Sequence, residues 1–362
     1  MKAFKFVFAG LVAGMLSFSA MGQDNVNYKI TKKGIVKTTV LADSTQEQLT
    51  VLKPILIFKG KYEFDTESQD GRFSIRNSRV GVQGDVSKKI AYKFMVDLSD
   101  NGSLKVLDLF VTFKPHKRLK FTFGQSSIPL FNSYTLSPNA TDFINRPFIG
   151  KYFNSSRDMG LTASYAIKQK GFPIAVEAGV YNGDGINNPK WTGTMAYGGR
   201  VLFGSMNGWR YTAKAYRTDK NSFEDYLIWG ADVRYDNSCL RFEAEYMNKH
   251  NYDNIANEDG VVIESLSAFY AQGLAKIPLT SKTFKRIEPT LRWDGMGYDF
   301  LDRGFGVNRA TVGVNLVLKT AITSLFRINY EHYFNNSMDM SQVFTSAPNC
   351  ESKLSAEFLL VF

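Results

Sequence analysis

The chain has 362 residues, is 44% hydrophobic and 14% aromatic, and holds 29 glycines against 10 prolines, a composition that excludes disorder and favours many strands joined by turns. Its mean hydropathy of -0.21 fits a protein with one apolar and one polar face better than a bundle of membrane helices. The formal net charge is +10, but the basic residues stand singly along the chain, which argues against nucleic acid as a partner and leaves anionic lipid or small anions.

The N-terminus has the three parts of a secretory signal peptide, which we expect to span residues 1–22. Lys2 and Lys5 supply a positive n-region, residues 6–18 an apolar region, and residues 20–22 a cleavage site of small residues. An uncleaved anchor is the alternative, although the apolar run is short for a membrane span. Residues 23–50 are polar and weakly patterned, which predicts a periplasmic N-terminal leader.

From residue 51 to residue 362, apolar and polar residues alternate, as in transmembrane β-strands. A soluble β-sandwich would show the same alternation, so the pattern alone does not decide between the two. The predicted strands, sixteen in number, are 51–64, 72–85, 88–98, 104–115, 117–127, 157–168, 172–182, 192–204, 208–219, 225–236, 239–249, 261–277, 284–296, 307–319, 323–335 and 351–362.

The lengths of the connections favour a membrane barrel. Connections after even-numbered strands are short, whereas those after odd-numbered strands are mostly longer and more polar. Bacterial outer-membrane barrels have short periplasmic turns opposite long outer loops. A soluble sandwich has no reason to separate its loops in this way.

The C-terminal strand carries its apolar residues on one face and ends on Phe362. Such a strand suits a lipid-facing wall and can pair with the first strand to remove the open edge of the sheet. It resembles the signal read by the barrel-assembly machinery, which we therefore expect as a partner together with outer-membrane lipid.

Residues 128–156 form the longest irregular stretch of the predicted barrel and contain Pro129, Pro138 and Pro147. A loop of this length in a compact domain is usually functional. Because it follows the fifth strand, it is the third outer loop, and we expect it to fold inward and narrow a pore. The predicted fold is therefore an all-β, transmembrane antiparallel β-barrel of sixteen strands with an inward-folded third outer loop.

Five sequence blocks, in this order, resemble the phosphate-selective porin family (porins O and P): RFSIRNSRVGVQGDV, LKVLDLFVTFKP, KRLKFTFGQSSIPLFNS, RDMGLTASY and VYNGDGINN. The resemblance covers about residues 70–190. It implies a sixteen-stranded barrel in the outer membrane of a Gram-negative bacterium, usually a homotrimer, that passes anions through a basic constriction. Ser126 and Ser127 stand where the family has a basic residue, so phosphate is only one of the anions to consider.

Basic residues in or beside the 128–156 stretch are the candidates for the pore constriction and for anion binding: Arg79, Lys120, Arg146, Lys151 and Arg157. Asp108 and Asp158 are expected to orient them through charge-assisted hydrogen bonds. A charged lumen selects ions by sign. For each of these residues, the alternative is a solvated charge on the wall.

The sequence predicts neither an enzyme nor a cofactor or metal site. It has three histidines, and none of them has a serine or cysteine at a spacing that suggests nucleophilic catalysis. We therefore predict a porin for passive diffusion of small polar solutes with a preference for anions. The alternative is a non-conducting barrel for binding or adhesion, which would insert into a membrane without passing current.

Overall fold

The computed structural model describes residues 26–31, 34–40, 46–75, 77–98, 102–132, 137–149, 153–168, 170–191, 193–220, 224–251, 265–298, 304–334 and 351–362. The predicted signal peptide lies outside these residues, and so does Lys151.

The described residues form a sheet of twenty strands. The strands are β1 (Val26–Thr31), β2 (Gly34–Val40), β3 (Gln46–Asp65), β4 (Gly71–Ser74), β5 (Ser78–Ser87), β6 (Ile90–Leu98), β7 (Leu104–His116), β8 (Leu119–Ser127), β9 (Arg157–Lys168), β10 (Ile174–Tyr181), β11 (Ala196–Gly204), β12 (Gly208–Lys220), β13 (Glu224–Asp236), β14 (Leu240–Asn251), β15 (Ser265–Ala275), β16 (Ile277–Pro278), β17 (Phe284–Tyr298), β18 (Val307–Leu318), β19 (Thr323–Phe334) and β20 (Lys353–Val361). A short 3-10 helix covers Pro138–Ala140. No helix in the described part of the chain has the length and apolarity that a bilayer span requires.

These strands make a closed barrel of sixteen antiparallel strands, as the sequence predicts. β4 and β5 occupy one strand position, and so do β15 and β16, while β1 and β2 are additional to the barrel. The last strand, β20, pairs with β3 from Lys353 opposite Asp65 to Val361 opposite Ile57. This pairing closes the sheet and leaves no open edge in the wall.

The two faces of the barrel wall differ in chemistry because side chains alternate along each strand. On β14, Leu240 and Phe242 are exposed, whereas Glu243 and Glu245 are buried. Exposed Leu, Phe, Tyr and Trp side chains recur on one face of most strands. The other face carries the buried charged residues, as expected for an outer surface in contact with lipid and an inner surface around a lumen.

The connections differ in length at the two ends of the barrel. Short ones include residues 88–89, 117–118 and 205–207, and we call their end the short-turn rim. Long ones include residues 128–156 and 182–195, and we call their end the long-loop rim.

The strand that precedes Arg79 is interrupted by one extra residue. Ser74 pairs with Lys61 and Arg79 with Ile57, so five residues of one strand match four of the other. Asn77, in the break, has φ of 66°, which is uncommon for a non-glycine residue. This bulge places Arg79 on the inner face, where it is 5% exposed.

Residues 26–40 contain strands that weak patterning did not predict. β1 and β2 form an antiparallel hairpin, and β2 pairs with the first residues of β3, with Ile35 opposite Leu52 and Val40 opposite Gln46. The residues of β3 that pair with β2 end at Leu52. The end of the chain lies next to them on β3, because the N–H of Phe362 donates to the carbonyl of Leu56 at 3.0 Å.

Candidate functional site

The segment that joins β8 to β9, residues 128–156, is called the β8–β9 segment below. Its described residues, 128–132, 137–149 and 153–156, lie against the inner face. The N–H of Ile128 donates to the carbonyl of Ser156 at 3.2 Å and closes its base. Eight of its large apolar side chains are at most 3% exposed: Ile128, Leu130, Phe131, Phe143, Ile144, Phe148, Ile149 and Phe153. Burying a side chain of this size contributes roughly 1.5–3 kcal/mol.

Six of these side chains belong to a cluster with apolar residues of the wall. The wall residues lie on β10 to β19 and are Tyr181, Ala196, Tyr216, Tyr226, Ile228, Met247, Leu266, Ala268, Tyr270, Met296, Val307 and Tyr333. On β13 and β14, Ile228 and Met247 occupy the face that also carries Asp232 and Glu245. The inner face is thus apolar where it receives the segment.

Arginines of β17, β18 and β19 donate to the backbone of the segment. Arg292 reaches the carbonyl of residue 145 at 2.9 Å, Arg309 that of residue 146 at 2.9 Å, and Arg327 that of Thr141 at 2.7 Å. Lys59 of β3 donates to the carbonyl of Ile144 at 3.0 Å. These carbonyls lie in irregular backbone, so the basic side chains supply hydrogen bonds that no strand partner provides.

The same wall accepts hydrogen bonds from the segment. Phe148 N–H donates to Asp294 at 3.0 Å and Ile144 N–H to Asn329 at 2.8 Å. The arginines are paired as well, since Arg309 lies 2.6 Å from Asp294 and Arg327 lies 3.1 Å from Glu357. Their charge is compensated, and they are covered by the segment.

Contacts with β13 and β14 complete the attachment. The Asn132 side chain donates to Asp232 at 3.1 Å, and its backbone N–H donates to Glu245 at 3.3 Å. Asp142 accepts from Arg241 of β14 at 2.5 Å. The segment is therefore bound to the walls formed by β13 and β14, by β17 to β19 and by β3.

The charges on β5 to β9 form a separate network. Arg79 donates to Asp97 at 2.9 Å. Asp108 lies 2.7 Å from Arg157 and 2.6 Å from Lys93. A register shift of one residue between β6 and β7 precedes Asp108, which pairs with Met95. Three of the predicted site residues, Arg79, Asp108 and Arg157, thus belong to a network beside the base of the segment.

Lys120 lies in a transverse row of inner-face residues. It pairs with Ser164, which pairs with Glu177, which in turn pairs with Arg200. Arg200 donates to Glu177 at 2.6 Å. The side chains of Arg200 and Glu177 are 23% and 24% exposed and that of Lys93 is 25% exposed, while Lys120 belongs to the exposed class. Solvent therefore reaches the inner face along β6 to β11.

The remaining predicted residues have other surroundings. Arg146 lies in the segment and lines a small cavity with Asp142 and Arg292. Asp158 accepts hydrogen bonds from the backbone N–H groups of Met159, at 2.7 Å, and of Gly183, at 2.8 Å, and among the described residues it has no bond to a basic side chain. It thereby fixes the start of the loop after β10.

The sequence did not predict which inner-face residues bind the β8–β9 segment. Strand alternation assigns Arg292, Arg309 and Arg327 to the inner face, together with Lys59. Nothing in the local sequence indicates that the 128–156 stretch would cover them, because the contacts join residues more than eighty positions apart. Within the described ranges, no group of three or more His, Cys, Asp or Glu residues could hold a metal ion.

A closed antiparallel barrel with an apolar outer face, a charged inner face and a long segment against that inner face is the architecture of a channel-forming outer-membrane β-barrel. A model of the family "phosphate-selective porin O and P" matches residues 57–271, more than half of the chain. The chain belongs to this porin family.

Solved porin structures share the fold at low sequence identity. OmpF of Salmonella typhi superposes with a TM-score of 0.61 at 11% identity, covering 86% of this chain and 97% of that one. An anion-selective porin from Comamonas acidovorans gives 0.57 at 13% identity, covering 86% and 99%. The channel DcaP of Acinetobacter baumannii gives 0.57 at 12% identity, covering 86% and 97%. No curated protein matches the sequence significantly.

Proposed function

We propose that the chain is an outer-membrane porin through which small polar solutes diffuse passively, with a modest preference for anions. The observation that carries this proposal is the unequal exposure of the inner face. Charged side chains in the middle of β17 to β19 are buried beneath the β8–β9 segment, with Arg292 and Arg327 each 1% exposed. The side chains of Arg286 and Lys353, near the ends of β17 and β20, are 34% and 26% exposed. On β6 to β11, the pair of Asp108 and Arg157 is buried, whereas Lys93, Lys120 and Arg200 remain in contact with solvent.

The passage then runs to one side of the lumen, between the inward-folded segment and the wall of β6 to β11. The segment acts as a size filter because its attachment on one side leaves only part of the cross-section free. Eight buried apolar side chains and several backbone hydrogen bonds support a fixed segment.

The charge of this passage favours anions mildly. Lys93, Lys120 and Arg200 are accessible, against the accessible acid Glu177. Arg79 and Arg157 add positive charge behind them, compensated by Asp97 and Asp108. A passage of mixed sign beneath a low-dielectric wall gives a modest preference, so selective phosphate binding is not part of the proposal.

Family membership and the architecture support the proposed location and assembly. The short-turn rim faces the periplasm and the long-loop rim the outside of a Gram-negative cell. Residues 23–50 then lie on the periplasmic side, and Phe362 at the same rim is available to the barrel-assembly machinery. The assembly we propose is a homotrimer, the form in which an outer-membrane protein with the same fold, OmpT of Vibrio cholerae, has been solved.

Reversal potentials across a planar bilayer in a salt gradient test the proposal. We expect a current through the purified protein and a permeability ratio that favours chloride over potassium. The measurement is repeated with phosphate and with an organic anion. Lys120→Glu should lower the ratio by about twofold or more, since it replaces the accessible positive charge with a negative one. Lys120→Arg, which keeps the charge, should leave it unchanged.

Two results would contradict the proposal. A protein that inserts but carries no current would be a binding or adhesion barrel. A permeability ratio of the wild-type protein that favours potassium over chloride would refute the anion preference but not the porin function.

A further inference from the structure

Exposed lysines gather at the short-turn rim in the described part of the chain. They lie in or beside the connections that follow β5, β7, β9, β16 and β18 and are Lys89, Lys117, Lys168, Lys170, Lys282, Lys285 and Lys319. The acid Asp85 lies on β5 before the first of these connections, and Asp236 lies beside the turn that follows β13. Asp85 is 3.3 Å from Lys114, and Asp236 accepts from Lys276 and Arg241. Both acids thus have basic partners outside this set of lysines.

Backbone hydrogen bonds place three of these turns side by side. The N–H of Lys114 donates to the carbonyl of Lys89 at 2.6 Å, which joins the turn after β5 to the end of β7. The N–H of Ala166 donates to the carbonyl of Arg118 at 2.9 Å, which joins the turn after β7 to the end of β9. The lysines of these turns therefore form a continuous arc.

Exposed aromatic side chains continue this arc on the lipid-facing surface. Phe172 lies in the turn after β9, and the N–H of Gly204 in the next hairpin donates to the carbonyl of Pro173 at 2.8 Å. Trp209 opens the following strand, with its ring 4.8 Å from that of Tyr235. Trp209 and Phe172 are 48% and 46% exposed. Aromatic rings of this kind lie at the level of lipid headgroups.

We infer that the lysine arc and the aromatic residues beside it bind the headgroups of anionic phospholipid in the periplasmic leaflet. Anionic phospholipid fits this surface because the lysines are positively charged and the aromatic rings lie at the level of the lipid headgroups. Exposed lysines attract a negatively charged surface, and their alkyl stems lie along apolar surface while the ammonium group reaches the phosphate. The inference rests on the proposed orientation of the barrel in the membrane.

Quenching of Trp209 by brominated lipid tests this inference. In a protein with Trp191→Phe, Trp229→Phe and Trp293→Phe, the remaining tryptophan reports on lipid at the arc. The protein is reconstituted into phosphatidylcholine vesicles that contain either brominated phosphatidylglycerol or brominated phosphatidylcholine at the same mole fraction. We expect quenching by the anionic lipid to indicate its enrichment by about threefold or more, and this excess to fall in high salt.

Two double variants, one at each rim, remove the same amount of positive charge. Comparing them distinguishes lipid binding at the lysine arc from a general effect of the net charge of the protein. Lys168→Gln with Lys170→Gln should abolish the excess quenching, whereas Lys105→Gln with Lys190→Gln at the long-loop rim should leave it unchanged. Heat-dependent gel mobility checks that each variant has folded. Native mass spectrometry of the wild-type protein provides a second readout, in which phosphatidylglycerol should remain bound in preference to phosphatidylcholine.

Equal quenching by the two lipids, or equal loss of quenching in both pairs of variants, would overturn the inference. The conductance of the same proteins tests the porin function separately from the lipid site. Lys168→Gln with Lys170→Gln should conduct like the wild type. A protein that binds the anionic lipid and carries no current would remove the porin function and leave the lipid site.

Discussion

Basic residues of the inner face have two different environments. The Arg309 guanidinium is enclosed by Asp294, by Glu331, by the carbonyl of residue 146 and by the ring of Phe148, whose centroid lies 4.5 Å away. Lys120 is exposed to the lumen. The first kind of residue stabilises the position of the segment, and the second contributes to the field that a passing ion meets.

Substitution of Arg309 should therefore affect stability more than selectivity. Arg309→Gln leaves Asp294 buried without its strongest partner, and breaking a buried ion pair costs about 3–5 kcal/mol. We expect a lower free energy of unfolding in urea and a noisier open-channel current. Arg72→Gln is the matched control because the Arg72 side chain is 65% exposed and Glu63 keeps a second partner, Lys61, at 2.8 Å, so we expect a loss of at most about 1 kcal/mol. Equal losses in the two variants would contradict the assignment.

At the residue scale, the sequence predicted which side chains point inward and not which of them the segment covers. Alternation assigns Lys120 and Arg327 to the same kind of position, yet one is exposed and the other is 1% exposed. Asp158 illustrates a second limit. Its hydrogen bond to the N–H of Gly183 depends on the path of the next loop, which strand periodicity does not encode.

The β8–β9 segment is an element without regular structure that is held by its surroundings. Its prolines interrupt both helix and ladder, and its backbone polar groups are satisfied by side chains of distant strands. The apolar side chains between these groups pack on the wall. This combination gives a loop a fixed position in the barrel.

Deletion of residues 138–150 should raise the single-channel conductance. The deletion removes the part of the segment that contacts β17 to β20 and widens the free cross-section. A gain of about twofold or more is expected from an aqueous lumen of this strand number. Trp191→Ala, which changes an exposed side chain of another long loop, should not alter the conductance. If the deleted protein folds and conducts like the wild type, the segment lies outside the path of the ions.

At the element scale, the sequence predicted most of the wall because each strand has one apolar face. The predicted strand 157–168 coincides with β9, and the other barrel strands differ by a few residues at their ends. The N-terminal hairpin was not predicted, although VNYKIT alternates apolar and polar residues, because an alternating run of six residues is too short to distinguish a strand from an irregular leader. Its pairing with β3 is a long-range property of the sheet.

The whole molecule is asymmetric both across the lumen and along the barrel axis. Across the lumen, one wall is covered by the segment and the other is accessible and weakly basic. Along the axis, more of the described exposed lysines lie at the short-turn rim than at the long-loop rim, where Lys105 and Lys190 are exposed together with Glu67 and Asp70. The first asymmetry defines the proposed passage, and the second indicates a side of the protein suited to anionic lipid.

Modification of single cysteines during current recording tests the position of the passage most directly. Lys120→Cys lies on the accessible wall, and Asn329→Cys lies behind the segment, where Asn329 is 1% exposed and accepts from Ile144. Both are introduced with Cys239→Ser and Cys350→Ser. An anionic methanethiosulfonate reagent should reduce the current through the Lys120→Cys protein promptly. It should leave the Asn329→Cys protein unchanged until residues 138–150 are also deleted. Rapid block of the Asn329→Cys protein, with none of the Lys120→Cys protein, would place the passage on the opposite side and contradict the account.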